Sequence, residues 1–490
     1  MNLNKQILPK TWTYALIEDI AEVGQGGTPS TLKKEYWDGD IPWVRSGEIK
    51  WNRITSSNSK ITKLGLDNSS AKLLPKGTIL LAMTGEGNTR GRSAIVDREC
   101  AANQSCAHII VNSNLLNNEF LFYFFRHEYQ NIRQIKKGSN QPGLNTSIIK
   151  GFFIPLPPIE EQNRIVSKLE KLLVNVKKGI DDFIRIQKLL KQYRHSILKS
   201  AFEGKLTANW RKENKLTNEN NLSIIQNHKS SKLDNKPSII HLNQLIIPDS
   251  WKSVRLAEIT NKINPGFPYG KYNKNSGIPH LRPMNINITG EIDMSEVKYV
   301  GVDEYDRLLK GDILFNNTNS PALVGKTSVI KENTNWAYSN HMTRIRFNKE
   351  IVNPEWIAYS LHTLFLEGFF RMKCNNHVSQ ASINSTFLAQ NVFIPLPPIE
   401  EQTIMVNIIN RCLKIISESE KNIEKNIHNS NILRQSILKN AFEGKLVKQN
   451  STEEPPLVLL DKIKNEKRKI TVRNSKKTNK KISLFQTKLL

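Results

Sequence analysis

Several stretches of the chain gather side chains suited to reading a polyanion. Gly26-Gly27-Thr28-Pro29-Ser30 is a turn bearing two hydroxyls, Thr28 and Ser30. Lys33, Arg45 and Arg53 follow, interleaved with Tyr36, Trp37, Trp43 and Trp51. Thr84, Arg90 and Arg92 lie in or beside a Gly-rich loop, and Lys136, Lys137, Asn140 and Gln141 in a polar one. In the second half, Tyr269, Lys271 and Arg282 occupy a Gly/Pro/Asn-rich stretch. Asn316, Asn319 and Lys326 come next, then Lys373 and Gln380. Arg and Lys suit the guanine edge, Asn and Gln suit adenine, and all of them reach phosphate. Any one of these loops reads as ordinary polar surface. Together, in two basic halves, they point to nucleic acid.

Catalytic chemistry is missing from the pattern. There is no HExxH, no GxSxG, no GxGxxG after a strand, and no Asn/Asp-Pro-Pro-Tyr/Phe of an amino-methyltransferase loop. Ser320 to Thr327 resembles a P-loop with its first glycine replaced, and Glu86 to Ser93 is its counterpart in the first half. In both, Gly-basic-Ser/Thr leads into a strand-like run, where a P-loop would lead into a helix, so a turn is the expectation. Cys100, Cys106, Cys374 and Cys412 form no CxxC pair and no zinc spacing, and read as reduced thiols. No metal site is expected. Glu160/Glu161 and Glu400/Glu401 read as first-turn charges complementing a helix dipole.

The 490 residues carry 71 Lys+Arg against 45 Asp+Glu, a net charge of +26. From Asp461 to Leu490 eleven basic residues less two acids leave +9, so the body still holds +17. Such an excess fits a polyanionic partner, whose condensed counterions are released on binding. With 38% hydrophobic residues the chain can build real cores. No run approaches the ~18 apolar residues of a membrane span. The N-terminus shows no signal-like apolar region, and the four reduced thiols lead to the expectation of a cytoplasmic location.

These residues are positioned by a repeat. Ile154-Pro-Leu-Pro-Pro-Ile-Glu-Glu-Gln162 recurs at Ile394 to Gln402, and Ser196 to Leu206 recurs at Ser436 to Leu446, both 240 residues on. Weaker echoes precede each Pro-rich motif, among them Lys76-Gly77 with Lys310-Gly311 and Gln141 to Asn145 with Gln380 to Asn384. After each Pro-Pro a heptad seam begins. In the first copy it runs through Val166, Leu169, Leu173, Val176, Ile180, Phe183, Leu190 and Ile197. In the second it runs through Val406, Ile409, Leu413, Ile416, Ile423, Ile427 and Ile437. A helix of some 45 residues would be roughly 65 Å long and needs a partner for its seam. The other copy is the simplest partner, as an antiparallel coiled coil. The expected fold is α/β: two variable α/β domains separated by two long antiparallel helices, with a pseudo-two-fold internal repeat. The expected segments are a first variable domain (1–158), a first helix (159–206), a polar linker (207–246), a second variable domain (247–398), a second helix (399–446) and a basic, disordered tail (447–490).

The doubled Pro-Leu-Pro-Pro-Ile-Glu-Glu-Gln and Ala-Phe-Glu-Gly-Lys-Leu blocks resemble the conserved regions of type I restriction-modification specificity subunits, the HsdS family. Gly-Gly-Thr-Pro-Ser followed by Tyr36-Trp37 and Ile41-Pro42-Trp43 is similar to the opening of that family's target recognition domains. The second domain has Asn264-Pro-Gly-Phe-Pro268 instead. The resemblance spans roughly residues 8–446. It implies a subunit without catalysis of its own. Two target recognition domains would each read half of a bipartite, asymmetric site in double-stranded DNA. The helices would set the unread spacer and bind two methyltransferase subunits, and two restriction/translocase subunits would join for cleavage. The resemblance places S-adenosylmethionine, ATP and Mg on those partners, with no cofactor in this chain. The alternative is a structural or adaptor protein that binds DNA without sequence preference.

Overall fold

The computed structural model describes residues 8–85, 87–111, 116–137, 141–214, 247–268, 270, 273–302, 304–376, 380–454, 457–458, 460–462 and 465. They form two compact units. The first runs to Phe183 and resumes at Lys425; the second is Ile184–Glu424.

In the first unit a five-stranded sheet has the order Ala21–Gln25, Cys106–Val111, Ile79–Ala82, Ser93–Val96, Arg53–Ile54. Its pairs are antiparallel except the last, which is parallel. Helix α1 (Asn118–His127) covers one face with an aromatic run, Phe120 to Phe125, all buried. Asn117 caps α1 by accepting from the Phe120 N–H. A short helix, α2 (Tyr129–Gln134), follows.

The second unit repeats the plan. Its main sheet is Thr260–Pro265, Met342–Phe347, Ile313–Asn316, Thr327–Val329, all antiparallel. These are the repeat equivalents of the first four strands above. The strand-like runs after the Gly-basic motifs are strands, Ser93–Val96 and Thr327–Val329. The turns that enter Ser93–Val96 and Thr327–Val329 hold Gly91 and Gly325 at φ +85° and +96°. A Cβ on Gly325 would stand 2.4 Å from the Phe370 ring, so glycine is required there. The Gly-basic-Ser/Thr runs are therefore strand-entering turns.

The Pro-rich motif is half strand and half helix. Phe153–Leu156 pairs antiparallel with Thr13–Leu16, and Phe393–Leu396 with Lys252–Arg255. These two-stranded ribbons tolerate proline because each has a free edge. The long helices follow, Ile159–Phe202 (α3) and Ile399–Phe442, each of 44 residues. A six-residue helix, α4 (Ala208–Glu213), lies after the first. In the second domain α5 is Pro354–Leu366, and the second long helix is α6.

The Gln shared by the two motifs ties strand, helix and domain together. Gln162 Nε2 donates to the Pro157 carbonyl at 3.0 Å, and its Oε1 accepts from the Asn117 N–H at 3.0 Å. Gln402 does the same with Pro397 (2.8 Å) and the Asn353 N–H (2.8 Å). The Glu beside it differs from the expectation of a dipole charge. Glu160 and Glu400 are exposed, but Glu161 and Glu401 are fully buried. Glu401 accepts from Trp251 Nε1 (2.9 Å), Thr207 Oγ1 (2.6 Å) and Arg211 (2.5 Å).

Each unit contains one variable α/β domain and part of both long helices. This differs from a division in which each helix stands apart, because the seams bury onto the domain cores. In the first unit Val166, Leu169 and Leu173 share a core with Ile437, Leu438, Ala441 and Phe442, and Val176 packs at its edge. In the second, Ile197, Leu198 and Ala201 share a core with Val406, Ile409 and Ile416, with Leu190 and Leu413 half-buried against it. The start of one helix thus meets the end of the other in both units, an antiparallel pairing. Ile180, Phe183 and Ile427 are half-buried and Ile423 is buried. Arg194 in the first helix pairs with Glu420 in the second at 3.1 Å.

Two boundaries need correction. The linker expected from 207 begins later, since Thr207 and Arg211 are anchored on Glu401. The tail expected to be disordered from 447 has structure: Val447 packs on the first core, Leu460 is buried in it, and Arg164 pairs with Glu453. Residues 215–246 and 466–490 lie outside the described residues. Among the described residues no helix is long and apolar enough to cross a membrane.

Candidate nucleic-acid interface

The Gly-Gly-Thr-Pro-Ser turn is laid over two tryptophans. Trp43 Nε1 donates to the Gly27 carbonyl at 2.9 Å and Trp37 Nε1 to the Ser30 carbonyl at 3.1 Å. The two indoles meet edge to face at 5.0 Å. A Cβ on Gly27 would come within 2.1 Å of the Ala71 nitrogen, which explains the glycine. This platform brings four expected residues together. Arg45 is exposed with its guanidinium 5.5 Å from the Trp43 ring. Lys33 is exposed and donates to the Tyr36 hydroxyl at 3.1 Å. Ser30 is exposed, and Thr28 bonds the Gln104 side chain.

A second cluster forms around Arg90. Its guanidinium donates to the Arg133 carbonyl at 2.5 Å. Arg133 in turn donates to the Tyr129 hydroxyl (3.0 Å) and to Asn88 Oδ1 (3.3 Å), with its guanidinium 5.5 Å from the Tyr129 ring. Trp51 packs edge-on against Tyr129 at 5.2 Å and holds an unusual φ of +62°. Sequence reading missed Tyr129, Arg133 and Asn88. The signal was available, because an aromatic and an arginine four apart share a helix face. Thr84 is exposed at the base of this loop, and Arg92 is half-buried with Nε unpartnered. Arg53 stands differently. It bridges Asp97 (2.9 Å) and Glu119 (2.5 Å), which neutralise it.

Lys136–Lys137 and Gln141–Pro142 form a small antiparallel ribbon, with Lys137 opposite Gln141. The second unit has a three-stranded counterpart of Thr318–Asn319, Ala381–Ser382 and Asn375–Asn376. Asn319 faces Ala381 in the register, exposed Gln380 precedes that strand, and half-buried Lys373 precedes Asn375–Asn376. Asn319 and Gln380 therefore lie at one end of this sheet, and Lys373 precedes its other end. Exposed Asn375 and Asn376 join them.

Two expected residues serve the fold instead. Lys326 is buried and its ammonium donates to the carbonyls of Pro283 (3.0 Å) and Ile286. It holds the turn after Arg282, and burial lowers its pKa. Asn316 is fully buried and donates to the Leu323 carbonyl at 3.0 Å. A buried donor satisfied by backbone is unavailable to an external partner. Arg282 is half-buried, its backbone N–H held by Asn285. Asn140, Tyr269 and Lys271 lie outside the described residues.

Nothing in the described residues groups three or more His, Cys, Asp or Glu as a metal site would. Cys100 and Cys106 sit in the apolar core, where burial pushes both thiols up to about 12. They are poor nucleophiles at neutral pH.

A repeated pair of α/β domains on paired helices, each with its own polar surface, defines a two-module reading protein. The chain belongs to the type I restriction modification DNA specificity domain family, whose model matches residues 9–185 and 248–429. It is 26% identical over 485 residues to the EcoKI specificity subunit of Escherichia coli K12, covering 94% of this chain and 96% of that one. It resembles the HsdS subunit of Thermoanaerobacter tengcongensis (TM-score 0.57, 21% identity, 91% of this chain and 100% of that chain). A chain from a type I R-M system complex is also similar (TM-score 0.65, 21% identity, 90% and 100%).

The Arg90 cluster gives a direct test. Arg90→Ala and Arg133→Ala are each expected to weaken duplex binding and lower the salt slope by about one. Arg53→Ala, already neutralised, should leave that slope unchanged. Titration against salt by fluorescence anisotropy reads all three.

Proposed function

We propose that this chain is the DNA sequence-recognition subunit of a type I restriction-modification complex. It reads a bipartite, asymmetric site and directs adenine methylation and ATP-dependent restriction by partner subunits. The observation that carries this reading is the doubling. The family model matches both halves, and the halves keep the same helix seats while their exposed polar clusters differ. The first module presents a tryptophan platform and an arginine-tyrosine cluster, and the second presents an asparagine-rich strand edge. Different surfaces on one frame suit different half-sites.

In this reading the chain is non-catalytic. S-adenosylmethionine, ATP and Mg act on two methyltransferase and two restriction/translocase subunits in the cytoplasm. The long helices, which pass from one unit into the other, set the spacer between half-sites. A seven-residue insertion in both helices adds about 10 Å and would lengthen the spacer by roughly three base pairs at 3.4 Å each.

The test is methylome sequencing of a methylation-deficient host carrying this chain with its neighbouring methyltransferase gene. Adenine methylation at one split motif, present only with both genes, is expected. A soluble complex that methylates no motif would overturn the reading.

A further inference from the structure

The arginines of the first unit are not equally open to an outside partner. Arg53 is held between two acids. Arg90 donates to the Arg133 carbonyl, and Arg133 to Tyr129 and Asn88. Arg92 has its Nε enclosed. Arg45 is exposed, and its guanidinium makes no hydrogen bond or ion pair among the described residues. The acid three positions on does not claim it. Glu48 Oε2 accepts from the Arg45 backbone N–H at 2.8 Å and from Ser57 Oγ at 3.0 Å, and Oε1 accepts from the Asn58 N–H at 3.0 Å. These bonds fix the Arg45 backbone at the end of the strand Trp37–Val44 and leave its side chain facing outward.

The ring beside the guanidinium is fixed as well. Trp43 is 4% exposed, its Nε1 is bonded to the Gly27 carbonyl, and Trp37 closes one flank edge-on. At 5.5 Å from the Trp43 ring, the Arg45 guanidinium is within cation–π range. Stacking on a rigid indole narrows the rotamers of the fork before any partner arrives and leaves its donors unused. Gly47 is exposed, and a Cβ there would meet nothing within 4 Å, so the approach past residue 47 is open.

A planar fork held in this way fits two acceptors side by side. The major-groove edge of guanine is such a pair, O6 and N7. A phosphate also takes two donors, but it is the same in every sequence. The second unit departs at the matching place. Its strand Ile278–Leu281 has His280 where the first unit has Trp43, with Nε2 3.1 Å from the Phe267 carbonyl. Arg282, which matches Arg45, is half-buried, and its Nε is enclosed without a hydrogen bond. The Nε side of that fork cannot be offered to a base.

Resting on the DNA-recognition reading above, we propose that Arg45 reads a guanine in the half-site of the first domain, by a paired contact to O6 and N7. Arg282 has no such role in the other half-site.

Selection from a random duplex library by the full chain, in complex with the product of its neighbouring methyltransferase gene, tests this. The wild-type complex is expected to enrich a split motif with a guanine in one half. Arg45→Gln should make that one position degenerate or turn it to adenine, whose edge suits glutamine, and keep the others. Its preference for the guanine duplex over a single-base variant should fall about tenfold or more. Retention of the other positions shows that the variant is folded. Arg282→Gln should leave every position in place. If Arg45→Gln keeps every position and only weakens all sequences alike, with a salt slope lower by about one, Arg45 touches phosphate and the proposal is overturned. An unchanged motif at unchanged affinity, or a position lost with Arg282→Gln, would overturn it too. No motif from the wild-type complex would overturn the recognition reading itself, and this inference with it.

Discussion

Replacing Glu401 by alanine is expected to destabilise the second unit by about 3–5 kcal/mol, the usual cost of stranding one partner of a buried ion pair. Glu401 is fully buried, and Arg211 opposite it keeps only 14% of its side-chain exposure. The substitution would leave that guanidinium, the Trp251 indole N–H and the Thr207 hydroxyl without their acceptor. The repeat supplies a control with the opposite sign. Glu161 occupies the same place in the first unit, equally buried, but neither carboxylate oxygen has a hydrogen bond of normal geometry. The position matching Arg211 is Ser451. Burial raises the Glu161 pKa, with Trp12 and Arg164 only partly opposing it. A carboxyl whose folded pKa is raised stabilises below its unfolded value, and that contribution is lost as pH rises through the folded value. Glu161→Gln should therefore make the first unit more stable at neutral pH and flatten its pH dependence above 4.5. Urea midpoints from pH 4 to 8 measure both variants. Equal losses in the two would show that the missing arginine does not matter.

This asymmetry marks how far the sequence could be read. The helices were legible because a seam at three-four spacing survives in both copies, and a fixed 240-residue offset announces a frame. The glycines of Gly91-Arg92 and Gly325-Lys326 were legible as turns because a strand pattern follows them. Lys326 and Asn316 were misplaced for one physical reason. A short-range pattern shows a polar residue in a loop, but not the carbonyls at Pro283, Ile286 and Leu323 that fold over it. The carboxylates that hold Arg53 were out of reach likewise, since Glu119 lies 66 positions away. The tryptophan platform was legible because its partners lie within about one loop of each other. The Glu401 cluster was not, because it joins positions 207, 211, 251 and 401. Its first-unit counterpart depends on residues after 447 that look like a solvated tail.

A fragment ending at residue 206 is expected to fail as a folded monomer, although it holds a whole recognition domain and a whole helix. The first unit takes part of its core from beyond residue 425. Phe442 is 1% exposed, 5.1 Å from Phe120, 5.7 Å from Phe124 and stacked on His127 at 5.3 Å. Phe442→Ala alone should cost about 3–5 kcal/mol by opening a cavity among these rings. Without Ile437, Leu438 and Ala441 as well, the groove between α1 and the first long helix lies open to water. The repeat names what could refill it. Ser196 to Leu206 matches Ser436 to Leu446 at every position but one, Ser200 against Asn440. The end of one fragment's helix can therefore seat in the open groove of a second copy, in the antiparallel sense the full chain uses. The fragment should sediment as a dimer, and Phe202→Ala within it should dissociate that dimer. In the full chain Phe442→Ala should lower the first unit's unfolding transition and leave the second in place. A monodisperse, cooperatively folded monomer of the fragment would mean that the recognition domain closes its own core, and that the shared helix ends only add to it.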